Sequence, residues 1–84
     1  MASRVILFSS AQADFASIAP THRPRIANAL RELIDFPLNR IGIKKLKPPF
    51  EGYRKRVGDF RISFDAKGDA VTVHRIKHRK DAYR

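Results

Sequence analysis

The sequence predicts a small α+β domain in the order β-α-α-β-β-β, with a mainly antiparallel sheet that carries a helical hairpin on one face. Two patterns set this order. In the first half, apolar residues recur at helical spacing between polar breaks. In the second half they alternate, and "GD" and "AKGD" separate three alternating runs. A third observation bounds the answer: 84 residues, 43% of them hydrophobic, suffice for one domain (residues 1–84) with a thin core.

Arg4 to Phe8 is a short β-type run. Ser9 or Ser10 can cap a helix by accepting a bond from a free backbone N–H. Ala11, Phe15, Ile18 and Ala19 then recur at helical spacing, and Pro20 ends the helix by disfavouring helical geometry before it. Thr21 is placed to cap a second helix, with Pro24 in the first turn, where a missing N–H does little harm. Ile26, Leu30, Leu33 and Ile34 form its apolar stripe, and Pro37 closes it. Residues 38–50, "LNRIGIKKLKPPF", read as a basic connector anchored in the core by Leu46. Strands are expected at 52–57, 60–65 and 70–77.

Charge separates the halves. Residues 1–39 carry four Lys/Arg against three Asp/Glu; residues 40–84 carry fourteen against five, and the whole chain is at +10. That field suits a polyanion: RNA, DNA, an acidic lipid surface or an acidic protein. The absence of cysteine excludes disulfides, thiolate catalysis and Cys-based zinc sites, and fits a cytoplasmic protein. No apolar run approaches the roughly 18 residues of a membrane span. His74 and His78 stand four apart, but on a strand and its exit that spacing does not converge on a metal. The glycines form no phosphate loop.

The sharpest signal is "YRKRVGDFRISF", Tyr53 to Phe64. A two-residue turn at Gly58-Asp59 sets Val57 against Phe60, Arg56 against Arg61, Lys55 against Ile62 and Arg54 against Ser63. Directly opposed like charges destabilise a strand pair, so stability gives no reason for this face. If "AKGD" is a four-residue loop, Asp65 faces Ala70, Ser63 faces Thr72 and Arg61 faces His74. Arg54, Arg56 and Arg61, with hydroxyls and an imidazole beside them, can then seat a phosphodiester, because the guanidinium fork donates paired bonds to phosphate. Lys55 and Arg75 fall on the core side, with stems buried and charges in water.

"YRKRVGDFRISF" and the terminal "HRKDAYR", with "KKLK" before them and the paired helices earlier, resemble the RelE/ParE toxin superfamily of type II toxin–antitoxin pairs. The resemblance implies the RelE-like fold. It also implies, for the RelE-like branch, a metal-independent endoribonuclease that enters the ribosomal A site and cuts mRNA by attack of the 2′-hydroxyl on the adjacent phosphate, with no cofactor. Carried over, Arg61, Arg79 and Tyr83 are the expected catalytic residues, and Arg54 and Arg56 the phosphate holders. Arginine cannot serve as a general base, so proton transfer falls to Tyr83, with His78 and His74 as alternatives. A ParE-like DNA gyrase inhibitor and a non-catalytic RNA- or partner-binding homologue are the alternative readings. The implied partner is a cognate antitoxin, acidic and partly disordered, in a toxin–antitoxin hetero-oligomer.

Overall fold

Five strands form one sheet in the order β1-β5-β4-β3-β2. They are β1 (Arg4–Leu7), β2 (Ile43–Lys45), β3 (Tyr53–Val57), β4 (Phe60–Lys67) and β5 (Ala70–His78), with α1 (Ser9–Ser17) and α2 (Arg23–Glu32) between β1 and β2. This computed structural model describes residues 4–49 and 51–79. β1 pairs with β5 in parallel; every other pairing is antiparallel. The α+β class and the helical hairpin hold. β2 is an addition, a three-residue edge strand inside what the sequence suggested was irregular connector.

The β3–β4 hairpin has the register read from the sequence in all its pairs. The β4–β5 hairpin does not. Its turn is the two residues Gly68-Asp69, so Lys67 faces Ala70 and Asp65 faces Thr72. Gly68 has φ +58°, the left-handed geometry that such a tight turn needs at its first position. Further on, the pairing changes phase: Phe64 faces Val73 but Ser63 faces Arg75. His74 is the extra residue of a β-bulge, and beyond it Arg61 faces Lys77 and Phe60 faces His78. The expected pairing of Arg61 with His74 is therefore wrong, displaced first by the shorter turn and then by the bulge.

Alternation assigns the two faces. Val57, Ile62, Phe64, Val71, Val73 and Ile76 point into a core closed by Ala11 and Ile18 from the first helical segment and Ile26, Ala29 and Leu33 from the second. Phe36 packs edge-on against Phe64 and Tyr53, with ring centroids 5.4 and 4.8 Å apart. Ile34 lies outside this stripe and is exposed, and Ala29 takes an inward place. Leu46 is only half-buried and is not part of the core; Ile43, on β2, packs against it instead. Lys55 departs most from expectation. Its side chain is buried, and its ammonium donates to the Ile41 carbonyl at 3.2 Å and lies 3.9 Å from Glu32.

The caps differ from those the sequence suggested. Phe8 and His22 occupy the N-cap positions, neither with a side-chain cap bond. Ser10 turns its hydroxyl to the His74 carbonyl at 2.7 Å. Arg23 donates to the carbonyls of Ile18 and Ala16, which closes the end of α1 and fixes the joint between the helices. β1 stops at Leu7, leaving the rest of β5 without a strand neighbour on that side. α1 fills the gap. Asp14 accepts from the Ile76 backbone N–H at 2.9 Å and from Arg75 at 2.8 and 3.1 Å. Burial acts to raise the Asp14 pKa, but these bonds and the charges of Arg75 and Lys77 outweigh it and hold the carboxyl below its ordinary value. Arg75 is thus committed to a structural ion pair at the sheet edge.

Candidate nucleic-acid interface

Among the described residues, no helix covers the other face of the sheet. Side chains that alternate away from the core there come from β2, β3 and β4 at one end and from β4, β5 and β1 at the other. Lys44 faces Arg54 across β2–β3, Arg56 faces Arg61 across β3–β4, and Arg61 faces Lys77 across β4–β5. Three like-charged pairs therefore cross one face, each destabilising by about 0.2–1 kcal/mol relative to a neutral pair. Lys44, Arg54, Arg56 and Arg61, with Gly42 and Ile43, line a groove of about 290 Å³, and no carboxylate of the described residues lines it. Among the described residues, ion pairs engage Lys55 and Arg75 but none of these four. A groove of uncompensated cations on a rigid sheet is built to receive an anion, and guanidinium forks suit phosphate.

The structure brings together Arg54, Arg56 and Arg61 as the sequence suggested, and adds Lys44; Lys77 faces Arg61 in the β4–β5 register but lines the cleft beside Asp14. Lys44 was not singled out because β2 is too short to show a period; its signals were the alternation in "IGIKK" and its place in "KKLK". Arg79 follows β5, and its backbone N–H bonds the Asp59 carbonyl in the β3–β4 turn, which fixes it at the same end of the sheet as Arg56 and Arg61. Tyr83 lies outside the described residues.

The two histidines are placed elsewhere. His78 sits on the core side: it faces Phe60, packs edge-on against that ring at 5.1 Å, and shares a cleft with His22 beneath the helices. The bulge put it there by shifting the alternation of β5 by one. His74 is on the outer face but away from Arg61, against the Phe8 ring at 4.7 Å. Neither is beside the arginines as expected. Among the described residues, no group of three or more His, Cys, Asp or Glu is placed to hold a metal, and no helix is long and apolar enough to cross a membrane.

A small open sheet with paired helices on one side and an arginine-lined groove on the other defines a RelE-type toxin domain. A chain of the RelB–RelE antitoxin–toxin complex from Methanococcus jannaschii superposes with a TM-score of 0.77 at 28% identity, over 93% of this chain and 94% of that one. The toxin YafQ from E. coli strain BL21(DE3) superposes with a TM-score of 0.75 at 13% identity, over 95% and 97%, a likeness of fold alone. Toxin RelE3 of Methanocaldococcus jannaschii is 37% identical over 57 residues, which cover 68% of this chain and 58% of that protein's length. The family model of the ParE toxin of type II toxin–antitoxin systems, parDE, matches residues 5–83, and the chain belongs to this RelE/ParE toxin superfamily.

Proposed function

We propose that the protein is the toxin of a type II pair and a metal-independent endoribonuclease that cuts mRNA in the ribosomal A site. The observation that carries this reading is the groove of Lys44, Arg54, Arg56 and Arg61, which no carboxylate of the described residues lines. Lys44, Arg54 and Arg56 hold the phosphate backbone. The 2′-hydroxyl attacks the adjacent phosphorus, the bond to the 5′-oxygen breaks, that oxygen takes a proton from solvent, and a 2′,3′-cyclic phosphate and a 5′-hydroxyl result. Arg61 and Arg79 stabilise the extra negative charge of the pentacoordinate transition state, as cations placed in advance where charge develops do. Tyr83, as its phenolate, receives the 2′-hydroxyl proton, since arginine cannot and both histidines sit away from the groove. The toxin works in the cytoplasm, and an acidic, partly disordered antitoxin holds it inactive in a hetero-oligomer. Charge complementarity with a chain at +10 and the RelB–RelE complex of the structural relative support that partner.

The test is cleavage on programmed ribosomes by the wild-type chain, Arg61→Ala and Tyr83→Phe. Cuts in the A-site codon that both substitutions abolish support the enzyme and its site together. Absence of cuts by folded wild-type protein removes the reading. The match to the ParE family model favours one second reading, a gyrase inhibitor. In that case expression in cells induces the DNA-damage response rather than a fast halt in translation.

A further inference from the structure

The outer face continues past the arginine groove. At its β1–β5 end a second cleft of about 230 Å³ is lined by Phe8, Asp65, Lys67, Ala70, Thr72 and His74. Phe8 is 47% exposed, although it directly follows a strand whose inward residues reach the core. An aromatic ring left open on a basic sheet surface offers a stacking platform to a base. The bulge releases His74 from strict alternation and sets its ring edge-on to Phe8, so the platform has a fixed wall. Asp65 spends one carboxylate oxygen on the Ala66 N–H at 2.9 Å, and its other oxygen has no partner among the described residues. Beside it, Thr72 supplies a hydroxyl. A carboxylate repels phosphate but accepts from the N–H groups on a base edge. From Arg61, His74 lies two to three residues along the strand and one strand across, roughly 8–11 Å at ~3.3 Å per residue and ~4.8 Å per strand. Adjacent nucleotides span that distance.

We propose that Phe8, His74, Thr72 and Asp65 form a base-binding subsite for single-stranded RNA, selective for guanine, beside the phosphate groove. This rests on the reading that the outer face binds RNA. Guanine presents a ring N–H and an amino group side by side to Asp65 while its ring stacks on Phe8. Adenine presents a lone pair where guanine has the ring N–H, and that lone pair meets the carboxylate.

The experiment titrates the full chain, without ribosomes, with the pentamers UUGUU, UUAUU, UUCUU and UUUUU, each 2′-O-methylated so that no 2′-hydroxyl can attack. Affinity is read by fluorescence anisotropy and position by the NMR signals of Phe8 and His74. We expect UUGUU to bind about 10-fold more tightly than the others, the span of one well-stacked, hydrogen-bonded base, and to shift both aromatic signals. Phe8→Leu and Asp65→Asn, both at surface-accessible positions, should erase the preference while leaving the far-ultraviolet circular dichroism unchanged. Equal affinity for all four pentamers, no binding, or unmoved Phe8 and His74 signals overturns the proposal. Ribosomal cutting with equal pentamer affinities leaves the nuclease reading standing and removes only this subsite. Guanine preference without ribosomal cutting does the reverse.

Discussion

Replacing Asp14 tests how α1 closes the open edge of β5. Asp14→Ala strands the Ile76 N–H at a partly covered edge, a loss of about 1–3 kcal/mol. It also breaks the pair with Arg75, which solvent screens and which adds little. The loss, about 1–3 kcal/mol, corresponds to a fall in Tm of roughly 4–24 °C for a domain of this size. Asp14→Asn keeps an acceptor for Ile76 and loses only charge, so its cost is about 1 kcal/mol. The pH dependence has a definite sign. The folded carboxyl has a pKa below its unfolded value of ~3.9. Its charge therefore stabilises fully above that value, and the contribution disappears as pH falls through the folded pKa. Urea unfolding followed by circular dichroism at pH 7, 4, 3 and 2 should show the gap between wild type and Asp14→Asn constant at pH 7 and closing toward pH 2. A gap absent at pH 7, or undiminished at pH 2, would refute the reasoning.

Two further outcomes follow from the geometry. Arg61→Thr removes two like-charged cross-strand pairs, so the domain should gain about 0.5–1 kcal/mol in low salt and less in high salt, measured by urea unfolding at two ionic strengths; a loss of stability would make Arg61 structural. Gly52→Ala sets a Cβ 2.6 Å from the Phe64 backbone carbonyl at φ +92°. A drop in Tm of at least 8 °C is expected, from about 2 kcal/mol or more of strain, and a Tm within 2 °C of wild type would show that the loop before β3 yields freely.

Much of this was readable from local pattern. The β3–β4 hairpin is two short strands around a two-residue turn, and its register follows from alternation alone. That same register exposed Arg54, Arg56 and Arg61 as a face. What failed was set by contacts far apart in the chain. "AKGD" fits either a two- or a four-residue turn, and only pairing with the neighbouring strands decides. The bulge at His74 is invisible in composition, because β5 remains a good strand sequence in either phase. It moved His78 to the core side and Arg75 to the edge, and so changed which titratable groups stand near the arginines. Asp14 and Ile76 meet across 62 positions, and nothing near Asp14 announces it. Lys55 looked marginal because a lysine on a core face usually reaches out to water; here the Ile41 carbonyl turns inward to meet it.

The sheet's two surfaces obey different rules. One must interdigitate with Ala11, Ile26 and Leu33 or the chain does not fold. The other, among the described residues, meets a helix only at the start of α1, where Phe8 packs on His74, and most of its residues can be exchanged without repacking the core. A chain built this way can wander far in sequence while its backbone hardly changes, as the likeness to YafQ at 13% identity illustrates. The uncovered surface is then where relatives of one shape can diverge in what they grip. A transplant of Phe8, Asp65, Thr72 and His74 onto another such scaffold would carry a preference without disturbing the interior that supports it.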